Sequence, residues 1–273
     1  MHIPLLSNYT RWLHTRNPAG KPEPLPEVNE DGSTAVQGLY IVGDLQGVPL
    51  LKFSTHSGAR AVEEIAASSW FEKVRQSEDT VDLVIVGAGV AGISAALRAK
   101  KLGLRFRVLD GGQAFSTIVN FPKGKPIYTY PNDFDPDSDL ETTGEVKESL
   151  LEELCAQVEE AGLEVEENRP VDRIARQKGT LHVHTKDGED VAAHAVVVAI
   201  GKSGNYRRLD VPGEELDKVH NRLYDPKDHA GQRVMVVGGG DSALEGAIAL
   251  AEAGAEVCMS YRREDFSRPK PAT

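Results

Sequence analysis

Apolar residues in this chain fall into short β-branched runs, each followed by a stretch of small residues with helical period. The run VDLVIV at 81–86 predicts a buried strand, the alanine-rich segment 91–102 a helix, and the run closing on FRVLD at 105–110 a second strand. The same order returns over 233–261, where Ala243, Leu244, Ala247, Ile248 and Ala251 give the helix an apolar face. Between the two copies, Leu150, Leu151, Leu154 and Val158 predict a helix over 145–162, with Thr142 and Glu145 spaced as a capping box at its start. A strand at 163–167, hairpin-like strands between 171 and 194 and an apolar crossover strand at 195–200 follow. Such alternation predicts an α/β chain throughout. Residues 1–36 show no clear period and read as an arm, lying on the next domain or reaching a partner.

Each strand-to-helix junction carries a glycine fingerprint. In VGAGVAG, Gly87, Gly89 and Gly92 supply a tight turn, close approach of backbone to a pyrophosphate and close packing of helix on strand. Phosphates there meet free N–H groups at a helix N-terminus. Asp110, closing the next strand, stands near the roughly 20-residue spacing at which an acid binds ribose hydroxyls. The second fingerprint, Gly238, Gly240, Ser242 and Ala243, leads instead to Tyr261, Arg262 and Arg263. An acid repels a 2′-phosphate and an arginine fork pairs with one, so the second nucleotide reads as NADP rather than NAD. Solvated strand-end charge is the other reading of the two arginines.

Over most of residues 37–270 the chain resembles the two-dinucleotide flavoproteins of the pyridine nucleotide-disulfide oxidoreductase superfamily, in particular their thioredoxin-reductase-like branch. The stretches that carry the resemblance are DGGQAFSTIVNFPKG at 110–124, AVVVAIGKSG at 195–204 with Ile200 where the family has Thr, LDVPGEE at 209–215, and GLYIVGDLQGVPLLKFSTHSGARAVEEIA at 38–66. The resemblance implies FAD at the first fingerprint, with Gly43 and Asp44 at its ribityl and pyrophosphate region, Gln113, Thr117 and Asn120 along ribityl chain and ring, and Gly201 at the crossover. It also implies a helix N-terminus near Phe53 and Ser54 facing the flavin's pyrimidine edge, with Lys52 either its helper or a solvated helix-start lysine.

The expected fold is a Rossmann-like FAD-binding domain of three-layer ββα type at 37–204, then the start of a second Rossmann-like NAD(P)-binding domain at 205–273. Two features depart from the family. Its GD segment comes late in the chain, whereas Asp44 precedes the first fingerprint, so the FAD domain reads as circularly permuted with 70–80 as the bridge. The second domain has too few strands to cover a doubly wound sheet and reads as incomplete, to be finished by further sequence or another chain, a homodimer partner included.

The resemblance implies hydride transfer from NADPH to FAD and onward to an unidentified acceptor, small protein or small molecule, with no catalytic side chain required. A flavin-binding electron-transfer or sensor subunit and an inactive fragment are the alternatives. Acidic residues outnumber basic ones 42 to 31, a net charge of −11 that argues against nucleic-acid or anionic-membrane partners. No apolar run reaches the roughly 18 residues of a membrane span, and a cytoplasmic location is the default. Cys155 and Cys258 form no CxxC and are expected buried as small hydrophobes. His182 and His184 share a strand face expected to be solvated, and NDFDPDSDLE at 132–141 reads as an acidic surface loop rather than a metal site.

Overall fold

A computed structural model describes residues 25–75, 80–202 and 208–263. Most of the expected arm, part of the 70–80 bridge and the expected domain junction at Asn205 lie outside these residues. The described chain falls into two compact units, 25–221 and 222–263.

In the larger unit, β1 (Leu39–Ile41) is followed by a 3-10 turn (Gly43–Gln46), α1 (Leu51–Ala67) and α2 (Ser69–Val74). Then come β2 (Val81–Val86), α3 (Val90–Lys101), β3 (Phe106–Leu109), the single turn α4 (Ser116–Val119) and α5 (Lys147–Glu160). The strands β4 (Val171–Gln177), β5 (Thr180–Thr185) and β6 (Asp190–Val198) close the unit. The sheet runs β3-β2-β6-β5-β4, with β1 also paired to β6. β2 lies parallel between β3 and β6 and is buried on both faces, which its unbroken run of Val, Leu and Ile requires. Alternate residues serve opposite layers: Leu83 and Ile85 pack toward the helices, Val84 and Val86 toward Leu181, Val183 and Val191 of the β-meander. Helices, parallel sheet and meander make the three layers of the expected Rossmann-like α/β fold.

Several local expectations are corrected. The third hairpin strand and the crossover strand are one element: β6 pairs antiparallel with β5 through Ala193 and parallel with β2 and β1 through Val196, and no turn residue interrupts it. The predicted strand 163–167 reduces to a single parallel bridge from Glu166 to Leu109. Helix α5 begins at Lys147, beyond the Thr142 to Glu145 box; its first turn is closed by Ser149, whose hydroxyl accepts from the Val146 N–H at 3.4 Å. The N–H groups of Thr143 and Gly144 are taken by Glu153, nearly two turns into the helix.

The smaller unit contains β7 (Arg233–Val237), α6 (Asp241–Glu252) and β8 (Glu256–Ser260), with β7 and β8 parallel. Val234, Val236, Val257 and Met259 are half-buried, while Met235 and Val237 on the other face are 65% and 50% exposed. The apolar face expected of α6 is only partly used: Ala247 and Leu250 are buried, Ile248 and Ala251 exposed. Both cysteines are exposed, against expectation, because Cys155 lies on the outer side of α5 and Cys258 shares the open face with Met235. Among the described residues no helix is long and apolar enough to cross a membrane.

Candidate dinucleotide sites

The carboxyl ends of four parallel strands meet at one place, and each delivers a motif. β1 runs into Gly43 and Asp44, β2 into Gly87, β3 into Asp110 and β6 toward Gly201. Backbone bonds continue the ladder past the strand ends: Val42 N–H to the Val198 carbonyl at 3.0 Å, Ala199 N–H to Val86 at 2.7 Å and Gly87 N–H to Leu109 at 2.7 Å. Ligands of open α/β sheets bind in this crevice.

The three glycines of the first fingerprint have separable tasks. Gly87 has φ +104°, and a side chain there would place Cβ 2.4 Å from the Ala199 carbonyl oxygen. At Gly92 a Cβ would lie 1.9 Å from the Gly87 oxygen, so this glycine lets α3 sit against its own strand. A Cβ on Gly89 would meet nothing within 4 Å. That position is the N-cap of α3 and has no side-chain cap, leaving space and free N–H groups at the helix end. A phosphate fits there, and the cradle suits a dinucleotide.

Sequence reasoning missed Gly58. A Cβ there would stand 2.1 Å from the Ala91 carbonyl oxygen, so α1 and α3 cross with backbone close to backbone. The contact brings the GD turn to the α3 N-terminus, where a Cβ on Gly43 would be 3.0 Å from the Ala91 Cβ. Local spacing offered no signal, because its partner is thirty-three positions away. The turn is pinned by the Ser57 hydroxyl, which accepts from the Gly43 N–H at 2.9 Å, and by the Ser54 hydroxyl, which donates to Asp44 at 2.9 Å.

Asp110 is engaged by backbone: its carboxylate accepts from the Ala88 N–H at 2.7 Å and the Gly112 N–H at 2.8 Å. It therefore ties the fingerprint loop to the loop carrying Gln113. Gln113 and Thr117 are exposed, and Asn120 is half-buried at the end of α4. Ahead of α4, Phe115 is buried in a left-handed conformation (φ 53°) and donates its N–H to Ala88 at 2.9 Å, which fixes this loop on the fingerprint. Lys52 is neither solvated nor directed at the crevice by its bonds: its ammonium donates to the carbonyls of Pro131 (3.0 Å) and Phe134 (2.8 Å).

The acidic stretch 132–141 is a clasp rather than a free surface loop. Asp137 and Asp139 receive the Arg98 guanidinium, which Glu63 also meets, and Arg98 is only 5% exposed. Burial disfavours its charge, but the three carboxylates raise its pKa above the usual arginine value. Arg98 holds the Asp137 carboxyl below its ordinary range; at Asp139 burial opposes ionisation, and bonds from Arg98 and Lys101 outweigh it. Phe134 on the same loop stacks on Phe53 at 4.7 Å. His182 and His184 are half-buried, and both lie beside Asp190, at 3.0 and 3.8 Å.

In the smaller unit, Gly238 takes φ +145°, and a Cβ on Gly240 would meet nothing within 4 Å. Gly239, unremarked in the sequence pattern, leaves room for the Tyr261 ring, which a Cβ would meet at 2.5 Å. Ser242 is exposed in the first turn of α6, Ala243 is half-buried behind it, and Arg262 and Arg263 are exposed just after β8. Arginines and open glycine thus stand at the carboxyl ends of β8 and β7, the same placement as in the first copy.

Residues 84–272 match the family model of the pyridine nucleotide-disulphide oxidoreductases. The chain belongs to this family. A ferredoxin-NADP reductase of Ignicoccus hospitalis is 33% identical over 188 residues, covering 69% of this chain and 58% of its own length. Among solved structures, bacillithiol disulfide reductase from Bacillus cereus superposes with TM-score 0.60 at 27% identity, over 71% of this chain and 62% of that one. Thioredoxin reductase of Lactococcus lactis, at 24% identity and TM-score 0.53 over 71% of this chain and 59% of that one, shares the fold. The chain spans about half the length of the curated relatives it matches.

Proposed function

We propose that this chain forms the cofactor-binding part of an NAD(P)H-dependent flavoprotein oxidoreductase, with FAD at the first fingerprint and NADP at the second. The observation that carries the reading is the convergence of Gly43 and Asp44, Gly87 to Gly92, Asp110 and Gly201 at the carboxyl ends of four parallel strands, around an open Gly89. Residues 37–204 are the FAD domain, with the GD segment ahead of the first fingerprint, and 205–273 belong to the NADP domain.

FAD, when bound, supplies the hydride chemistry, accepting from NADPH and passing reducing equivalents to an acceptor of thioredoxin-reductase or ferredoxin-reductase type. The protein's part is to bind and orient. The α3 N-terminus holds the pyrophosphate with backbone N–H groups and its dipole. Asp110 keeps the loop closed behind it. The first turn of α1, near Phe53 and Ser54, offers its helix dipole to negative charge at the ring. Gln113, Thr117 and Asn120 are the polar contacts along ribityl chain and ring. Arg262 and Arg263 select the 2′-phosphate.

Purified protein is expected to be yellow, or to become so on refolding with excess FAD. A chain that takes up no FAD under these conditions refutes the reading.

A further inference from the structure

A cavity of about 270 Å³ lies in the larger unit, apart from that unit's fingerprint. Gln37 lines it from just before β1, Trp70 from α2, Arg176 and Lys178 from the β4–β5 hairpin and His194 from β6. Because Leu39 pairs in register with Val196, Gln37 and His194 mark the amino-terminal end of the parallel strands. The FAD motifs gather at the opposite end of the sheet, so this cavity is not part of the crevice.

Its chemistry is uniform. In a chain of net charge −11, the described lining residues include Arg176 and Lys178 and no carboxylate. Both cations are presented by construction. Arg176 donates to the Gln37 carbonyl, which fixes the guanidinium at the wall. Lys178 (φ 50°) and Gly179 (φ 92°) form the two-residue turn between Gln177 and Thr180, so the lysine is displayed at its tip. Trp70 supplies an aromatic wall, held edge-on by Phe71 at 5.6 Å between ring centroids. His194 has a buried Nε2 with no hydrogen-bond partner among the described residues, and burial lowers its pKa, favouring the neutral ring. Asp82, which acts to raise that pKa, is itself paired with Arg75 and Arg105.

We propose that this cavity binds a small anion carried on an aromatic ring, the ring against Trp70 and the anionic group between Arg176 and Lys178. A guanidinium fork beside an ammonium is what a phosphate or carboxylate pairs with, and the indole ring favours a planar body over a bare ion.

The test uses the full chain, loaded with FAD where it accepts FAD, in a Trp12→Phe background so that Trp70 is the sole tryptophan. Phenyl phosphate and benzoate are titrated by tryptophan emission and calorimetry, with phenol and inorganic phosphate as partial ligands. Saturable binding of phenyl phosphate or benzoate, about tenfold tighter than phenol or inorganic phosphate, is expected, since each partial ligand lacks one of the two contacts. Whichever of the two binds better identifies the anionic group. Lys178→Gly suits the left-handed turn and Arg176→Gln keeps a donor for Gln37; the pair is expected to weaken binding about tenfold with the melting temperature retained. Absence of saturable binding, equal binding of phenol, equal binding of inorganic phosphate, indifference to the double substitution, or loss of the site on FAD loading would each overturn the proposal.

Discussion

Gly89→Ala separates cofactor binding from folding. The backbone at Gly89 (φ −75°, ψ −175°) is one that alanine adopts freely, and the new Cβ would meet no atom within 4 Å. Alanine stiffens the unfolded chain, worth about 0.4 to 1 kcal/mol, and is a poorer N-cap than glycine by a similar amount, about 0.5 to 1 kcal/mol. The two nearly cancel. At roughly 2 to 4 °C per kcal/mol for a domain of this size, the melting temperature of the FAD-free chain should move by no more than about 4 °C. The methyl group nevertheless occupies the space open to a phosphate. Losing one or two charge-assisted bonds, at about 1.5 to 3 kcal/mol each, weakens FAD at least tenfold. Gly92→Ala is the contrast, because its Cβ would sit 1.9 Å from the Gly87 oxygen and must open the strand-to-helix turn. It should cost about 1 to 3 kcal/mol or more in stability and lose FAD as a consequence. Circular-dichroism melts of FAD-free protein and calorimetric FAD titrations measure the two effects. If Gly89→Ala bound FAD like the parent, the loop would not be the pyrophosphate cradle; if it melted as early as Gly92→Ala, the site would not be open.

Gly58→Ala, whose Cβ would lie 2.1 Å from the Ala91 oxygen, should lower the melting temperature and FAD affinity together, and an unchanged melt would disprove the close helix crossing. Arg98→Met leaves Glu63, Asp137 and Asp139 without their shared cation and should cost about 2 to 3 kcal/mol, below the range for fully buried pairs because the carboxylates are partly exposed. Asp137 and Asp139 have depressed pKa values in the fold, so their contribution is complete above the unfolded value near pH 4 and fades as pH falls through the folded values. Urea midpoints should therefore fall less steeply on acidification in Arg98→Met than in the parent, and parallel pH profiles would argue against the clasp. Arg262→Ala should weaken NADPH by about 1.5 to 3 kcal/mol and spare NADH, judged by stopped-flow flavin reduction; equal losses for both would count against pairing with the 2′-phosphate, and no loss for either would leave the arginine on the solvated surface.

What the sequence determined by itself is what short-range pattern encodes. The β-branched runs at 81–86 and 233–237 became strands, the small-residue segments after them became helices, and the glycines between them took the positions their spacing required, Gly89 open and Gly92 packed. These outcomes depend on neighbours a few residues apart, where pleat, helical period and Cβ sterics act directly. Only the tertiary structure decided where distant segments meet. Nothing in GLYIVGD says that β1 pairs with β6, some 157 positions on, or that Gly58 touches Ala91. Lys52 is drawn to two carbonyls, Arg98 to three carboxylates and β6 across both halves of the sheet by packing partners no local pattern names. Cys258 and Met235 look like core residues along the chain, yet stand exposed because burial of a strand face depends on whether another layer covers it.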